Sequence, residues 1–256
     1  MGTLIKEEVY KQFHKRGWLI AACIMVLGEI GFGLLGKAQP TWFSARSLAA
    51  SDYVAGGLVL FIAIASTASI VSMEYQYGTM KQILYRQYYR SQVFVAKVIT
   101  VLLQLAFLQV LASGTNVVLT LILHPSFDWG GNAANGEVFW QTYLKSLGGS
   151  MLQYILLLSV VLLLSTLFKS NAAAIATGLV GYFLVTLAAA LLLMAIEQYH
   201  FLKWNPFTFL LAGSQILNPG MAQSTYMSTE TMIAGSLVYS VIFGFIAYLS
   251  FRKRSI

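Results

Sequence analysis

The sequence predicts an all-α polytopic membrane protein with six transmembrane helices. Of its 256 residues, 58% are hydrophobic and 10% are charged, whereas a soluble domain is about 45–50% apolar and about 25% charged. Six continuous apolar segments reach the length of about 20 residues that a membrane helix needs. None of them alternates between apolar and polar residues as a barrel strand does. The expected spans cover residues 18–36, 54–73, 98–121, 146–168, 172–196 and 232–250.

An amphipathic helix is predicted before the first span. Its two faces are formed by Ile5, Val9 and Phe13 on one side and by Lys11 and Lys15 on the other. Glu7 and Lys11 are spaced as an i,i+4 ion pair. We expect this helix to lie flat on the inner membrane surface, with its bases near anionic headgroups. Two roles stay open for it, a simple membrane anchor or an elbow helix that touches a cytoplasmic partner.

The segment after the second span is the most informative part of the chain. Gly78 permits a sharp turn, and Thr79 with Gln82 three residues later forms a capping-box pattern that starts a new helix. We expect a short amphipathic helix that lies parallel to the membrane. The alternative is a basic loop that only determines topology. The face presented to the cytoplasm would contain Lys81, Tyr85, Arg86, Tyr89 and Arg90.

The basic residues predict the orientation of the spans. Twelve of the 16 Lys and Arg residues lie on the side that contains both termini, and four lie on the other side. The positive-inside rule therefore places both termini in the cytoplasm. Because these bases flank apolar spans and do not share one polar face, the sequence argues against a nucleic-acid partner.

A short apolar run interrupts the loop between spans five and six. It covers residues 207–217 and is bracketed by Asn205-Pro206 and Asn218-Pro219. Because the run is too short to cross the membrane, we expect a re-entrant or interfacial outer helix.

Several polar residues fall inside the predicted spans. Glu29 is the sole acid well inside a span, and we expect it to be protonated, paired or part of a polar cavity. Four polar residues of span three share one helical stripe, which favours either interhelical hydrogen bonds or a wall of a translocation pathway. This stripe consists of Gln109, Ser113, Asn116 and Thr120.

The sequence contains no recognisable catalytic or metal-binding motif. Residues 31–37 match the start of a P-loop, but Ala38 stands where the motif needs Ser or Thr. The three histidines are scattered without metal-ligand spacing. We therefore expect no catalytic residue and no cofactor in this chain.

At the exit of the second span a carboxylate, Glu74, is followed by Gly78-Thr79, by Lys81 and by the apolar Ile83 and Leu84. This pattern resembles the second-span exit of bacterial ABC exporter permeases of the type-2 class (ABCG-like, type V). The match is carried by Glu74, Gly78, Thr79, Lys81, Ile83 and Leu84. The six-span layout, the flat N-terminal helix and the interrupted outer segment are also similar. The resemblance implies that residues 1–256 form a single transmembrane permease domain. It implies an ATPase-coupling role for Glu74, Tyr75, Gly78, Thr79, Lys81, Gln82, Tyr85, Arg86 and Arg90.

The same resemblance implies a partner and a function. Two identical or related permeases would pair in the bacterial cell membrane, and each would receive a cytoplasmic ABC ATPase that binds ATP and Mg²⁺. Glu74 would pair with a nearby base at the exit of span two. The exported molecule would be hydrophobic or amphipathic, with an antimicrobial or toxin-like peptide favoured. The alternatives are a non-transporting scaffold, immunity or sensor subunit and, more weakly, an intramembrane enzyme.

Overall fold

The computed structural model describes residues 1–79, 88–133, 136–168 and 170–254, and every regular element within these ranges is a helix. In chain order the α-helices are α1 (Gly2–Phe13), α2 (Arg16–Ala38), α3 (Ala45–Ala50), α4 (Ala55–Gln76), α5 (Arg90–Leu123), α6 (Phe139–Leu167), α7 (Asn171–Gln198), α8 (Ala212–Leu217), α9 (Ala222–Thr225) and α10 (Thr229–Lys253). Six of them (α2, α4, α5, α6, α7 and α10) are long and apolar enough to cross a membrane. The prediction of an all-helical fold with six helices long and apolar enough to cross a membrane is thus confirmed.

The long helices extend beyond the predicted spans. Helix α5 begins at Arg90 and not at residue 98, and α6 begins at Phe139 and not at residue 146. A hydropathy count stops where polar residues begin, but the backbone hydrogen bonds of a helix continue through them. Arg90, predicted at the end of the coupling helix, is therefore the first residue of a span.

The contacts divide the chain into two compact units. Unit one contains Met1, Ile64–Val98 and Gly148–Ile256, and unit two contains Gly2–Ala63 and Ile99–Leu147. A core of unit one is formed by Leu152, Leu156, Phe209, Ala212, Met227 and Met232. A core of unit two is formed by Ala49, Phe139 and Tyr143, with Phe127 and Trp129 packed against it.

The apolar run between α7 and α10 is helical. A 3-10 turn, Thr208–Leu211, continues into α8, and Phe209 and Ala212 are fully buried. The Gln215 amide donates to the Met227 carbonyl (2.9 Å), and the Thr225 hydroxyl donates to Gln215 (2.8 Å). This segment is therefore an integral part of unit one.

A strained turn precedes α4 in unit two. Asp52, Tyr53 and Val54 have φ angles of 50°, 46° and 81°, which cost of order 1–3 kcal/mol per residue outside glycine. Tyr53 is fully buried, and its hydroxyl lies 3.0 Å from the Thr120 hydroxyl. Packing of Tyr53 thus holds a backbone conformation that these residue types seldom adopt.

Candidate functional site

An ion pair joins the end of α4 to α5 in unit one. The Lys97 ammonium lies 2.7 Å from the Glu74 carboxylate, and the side chains are 0% and 13% exposed. Each charge stabilises the other, because burying either charge without an opposite charge beside it would cost several kcal/mol. Lys97 is thus the base that pairs with Glu74. The sequence predicts that Glu74 has a basic partner but does not identify which residue it is.

The start of α7 is bound to the same end of α4. The Asn171 backbone N–H donates to the Gln76 side chain at 3.0 Å, and the Ser72 hydroxyl donates to the Asn171 side chain at 3.1 Å. The first N–H groups of a helix have no partner within it. Gln76 therefore satisfies one of these groups of α7.

Arg254 contacts both α4 and α6. Its guanidinium lies over the Tyr75 ring, 3.9 Å from the ring centre. It also donates to the carbonyls of Thr166 (2.6 Å) and Phe168 (2.9 Å). Because the last carbonyls of a helix lack partners within it, Arg254 completes the hydrogen bonding of α6.

Arg90 hydrogen-bonds backbone carbonyls at the C-terminal end of α10. It donates to the carbonyls of Arg252 (2.6 Å) and Arg254 (3.0 Å). The prediction that Arg90 lies on a separate coupling helix is therefore corrected, because Arg90 is the first residue of α5. Its role in docking an ATPase stays a prediction. We call Glu74, Tyr75, Arg90, Lys97 and Arg254 the α4-end cluster.

The connection after α4 begins with a left-handed glycine. Gly78 has φ +68°, and a Cβ placed there would meet nothing within 4 Å. Glycine is therefore favoured at this position by the left-handed backbone conformation and not by a lack of space for a side chain. The Thr79 hydroxyl lies 3.5 Å from the Glu74 carbonyl. The remaining predicted coupling residues Lys81, Gln82, Tyr85 and Arg86 lie outside the described residues.

Helix α1 buries a more polar face than predicted. Ile5, Val9 and Phe13 are half-buried, whereas the fully buried positions are Leu4, Glu8 and Gln12. Lys15 is half-buried at the residue before α2.

The polar groups of this face have partners within unit two. Lys11 lies 2.8 Å from Glu8, so the predicted pairing of Lys11 with Glu7 is wrong. Both spacings, i+3 and i+4, bring side chains together on a helix, and burial of Glu8 favours the first. Gln12 donates to Gln104 on α5 at 2.9 Å.

Half of the polar stripe on α5 belongs to a buried network in unit two. The Asn116 amide donates to Asp52 (2.7 Å) and to the Ala49 carbonyl (2.8 Å). The Tyr143 hydroxyl donates to Asp52 (2.5 Å), and the Thr120 hydroxyl donates to Asn116 (3.2 Å). We call Asp52, Tyr53, Asn116, Thr120 and Tyr143 the unit-two network.

The other half of the stripe does not join the network. Ser113 is half-buried and donates to the Gln109 backbone carbonyl at 2.9 Å, and the Gln109 side chain is buried. The assignment of the stripe to a translocation pathway stays a prediction.

Glu29 is fully buried in α2. Neither of its carboxyl oxygens has a hydrogen-bond partner among the described residues. Its electrostatic neighbours in unit two include the Asp52 carboxylate and the Thr115 side chain.

Sequence reasoning missed Asp52, Tyr143 and Arg254. Asp52 lies immediately before an apolar span, and Arg254 lies immediately after one, so both could have been noted as charges at the edge of the membrane. Tyr143 has no such signal, because aromatic residues at span ends are common as interface anchors.

One family profile matches residues 19–256 of the chain. The family is DUF2705, described as proteins of unknown function. No curated protein matches the chain.

Proposed function

We propose that this chain, which belongs to the DUF2705 family, is the membrane-spanning permease subunit of an ATP-driven ABC exporter. In this proposal two identical or related permeases pair in the bacterial cell membrane. Each binds a cytoplasmic ABC ATPase, which holds ATP and Mg²⁺. The permease itself catalyses no reaction, and it changes conformation when the ATPase binds and hydrolyses ATP.

The α4-end cluster is the observation that carries the proposal. A permease driven by an external motor must pass a displacement of its docking segment to several spans at once. The segment that resembles a docking helix joins α4 to α5, and its two described ends reach this cluster. The Thr79 hydroxyl lies 3.5 Å from the Glu74 carbonyl, and Arg90 belongs to the cluster. Contacts of the cluster and its neighbours reach the ends of α4, α5, α6, α7 and α10. A loop that only determines topology needs no such contacts.

The finer topology belongs to the same proposal. Both termini lie in the cytoplasm, α1 lies on the inner surface, and the connection between α4 and α5 contributes a coupling helix. Thr208–Leu217 enters the outer leaflet as a re-entrant helix, which the burial of Phe209 and Ala212 supports because backbone at membrane depth must be covered by protein.

An apolar cavity in unit one supports a hydrophobic or amphipathic substrate. The cavity has a volume of about 350 Å³. Its walls come from α6, α7 and the segment before α8, and they include Leu156, Val160, Gly181, Phe207 and Leu210. A lining of this kind binds apolar surface without requiring a specific polar partner. An antimicrobial or toxin-like peptide is the favoured substrate.

Co-purification tests the proposal. The tagged chain is isolated from native membranes in mild detergent, and its partners are identified by mass spectrometry. We expect a stoichiometric ABC ATPase whose ATP turnover in the complex is stimulated by the substrate. The double variant Lys81→Glu/Arg86→Glu should lose the ATPase, whereas Lys253→Glu, an exposed charge on α10, should retain it.

Two results contradict the proposal. The first is the absence of any nucleotide-binding protein in several detergents, which would favour a scaffold or sensor subunit. The second is equal recovery of the ATPase with the double variant, which would remove the docking role of residues 79–90.

A further inference from the structure

We propose that Glu29 is a proton-binding site inside unit two. Its carboxylate takes one proton from the solution and holds it as a neutral carboxylic acid near the Asp52 carboxylate. This inference does not depend on the export function, because it rests on residues of α2, α5 and α6 and on the turn before α4.

The first argument is the enclosure of Glu29. The side chain has no exposed surface, and neither carboxyl oxygen has a hydrogen-bond partner among the described residues. The Thr115 hydroxyl faces it but donates to the Leu111 carbonyl at 2.9 Å. An ionised carboxylate without donors is very costly in such a place, and protonation removes that cost.

The second argument is the charge of the surrounding groups. In the described part of the chain, no ion pair joins Glu29 or Asp52 to a base. Arg46 of α3 is directed elsewhere, with its guanidinium 5.7 Å from the Phe139 ring centre and donating to the Asn132 carbonyl. The other titratable side chains on α2, α5 and α6 are Arg16, Cys23, Lys37, Arg90, Lys97, Tyr143, Lys145 and Tyr154; Tyr53 lies in the turn before α4, and His124 follows α5. Two carboxyl groups without a basic partner are most stable when they share one negative charge.

The third argument decides which carboxyl group holds the proton. Asp52 accepts hydrogen bonds from the Tyr143 hydroxyl (2.5 Å) and the Asn116 amide (2.7 Å). Donors stabilise the ionised form of a carboxyl group. Glu29 faces the Thr115 hydroxyl, which donates to the Leu111 carbonyl, and neither Glu29 oxygen has a hydrogen-bond partner among the described residues. The charge therefore resides on Asp52, and the proton resides on Glu29.

The oxygens of the network favour a proton over a metal ion. A hard cation needs about six oxygen ligands with free lone pairs. Here the Asn116 oxygen accepts from Thr120, and its amide nitrogen points at Asp52, which would repel a cation. No group of three or more His, Cys, Asp or Glu side chains is placed to hold a metal within the described ranges.

Proton binding at this site has a consequence for unit two. Loss of the proton would enclose two negative charges where one is now stabilised. Conformations that admit water to Glu29 would then be favoured, so proton release and local opening of unit two are coupled.

Infrared spectroscopy of the full-length chain in detergent tests the inference directly. At about neutral pH we expect the carbonyl stretching band of a protonated carboxylic acid, which shifts in deuterated water. Glu29→Gln should lose this band, whereas Glu197→Gln, an exposed acid at the end of α7, should retain it. Absence of the band in the wild type overturns the inference, even if the variant fails to fold.

Thermal unfolding provides the second measurement. We expect the wild type to lose stability progressively as the pH rises above about 4.3, the ordinary pKa of Glu in an unfolded chain, and on into the alkaline range. The reason is that the unfolded chain releases a proton there that Glu29 retains in the folded chain. Glu29→Gln, which is neutral at every pH, should lose this alkaline decline, and Glu197→Gln should keep it. An alkaline decline that is unchanged in Glu29→Gln contradicts the inference. Stabilisation by sodium at constant pH in the wild type but not in Glu29→Gln would instead identify a cation site.

Discussion

The guanidinium carbon of Arg254 lies 3.9 Å from the centre of the Tyr75 ring, so a residue next to the C-terminus is stacked on the last turn of the second span. Here the same side chain also donates to two carbonyls at the end of α6. Arg254, the residue that follows α10, is therefore part of the α4-end cluster.

Replacement of Arg254 should destabilise unit one. Arg254→Ala removes two charge-assisted hydrogen bonds and a cation–π contact, and we expect a loss of about 2 kcal/mol. Arg254→Lys should recover only part of this, because an ammonium lacks the planar fork of donors. Thermal unfolding in detergent measures the effect. Lys253→Ala, at an exposed neighbour, is the matched control, and an equal loss in both variants would contradict the role of Arg254.

The Glu74–Lys97 pair should show strong energetic coupling. Lys97→Met removes the ammonium that lies 2.7 Å from the Glu74 carboxylate, and we expect a loss of about 3–5 kcal/mol in the free energy of unfolding. The double variant Glu74→Gln/Lys97→Met should be more stable than Lys97→Met alone, because the side chain that has lost Lys97 is then neutral. A double-mutant cycle gives the coupling energy. If the free-energy losses of the two single variants add up to that of the double variant, Glu74 and Lys97 do not stabilise each other.

The close approach of Gly149 and Gly213 makes a sharp prediction about packing. A Cβ on Gly149 would lie 2.9 Å from the Gly213 Cα, and a Cβ on Gly213 would lie 2.7 Å from the Gly149 carbonyl oxygen. Gly149→Ala should therefore push α8 away from α6 and cost about 1–3 kcal/mol. Gly148→Ala, with nothing within 4 Å of the new methyl group, should be neutral or slightly stabilising. Comparable thermal unfolding of the two variants would rule out this contact.

The hydroxyl group of Tyr143 should contribute to the free energy of unfolding. Tyr143→Phe keeps the ring packing but removes the hydrogen bond to Asp52, and we expect a loss of about 1–3 kcal/mol. Tyr199→Phe changes an exposed tyrosine and should leave the unfolding temperature unchanged. If Tyr143→Phe is as stable as the wild type, the hydroxyl does not contribute to the unit-two network.

The number of spans could be predicted because each is a long apolar run, and composition alone separates such runs from loops. Their ends could not, because Arg90 and Phe139 are compatible with both a loop and a helix. The positive φ at Gly78 was also accessible, since glycine tolerates left-handed backbone. The turn at residues 52–54 was not, because none of its residues is a glycine and its conformation depends on tertiary packing.

Partners of charged residues were harder to predict than their positions. Glu74 is easily noticed as a charge at the end of a span. The sequence alone, however, offers several bases that could be its ion-pair partner. Only the spatial arrangement of α4 and α5 within unit one selects Lys97. The burial of Glu8 and Gln12 could not be predicted for a related reason. Apolar periodicity places Ile5, Val9 and Phe13 at the centre of the buried face, and it takes no account of polar residues that are buried with hydrogen-bond partners.

The turn at residues 52–54 has a consequence for synthesis. Tyr53 is bonded to Thr120, which leaves the ribosome 67 residues later, or roughly 3–13 s at about 5–20 residues/s. During that interval the first two spans emerge without the contact that holds the left-handed turn. We therefore expect this turn to relax in a nascent chain that is halted before Thr120 is synthesised.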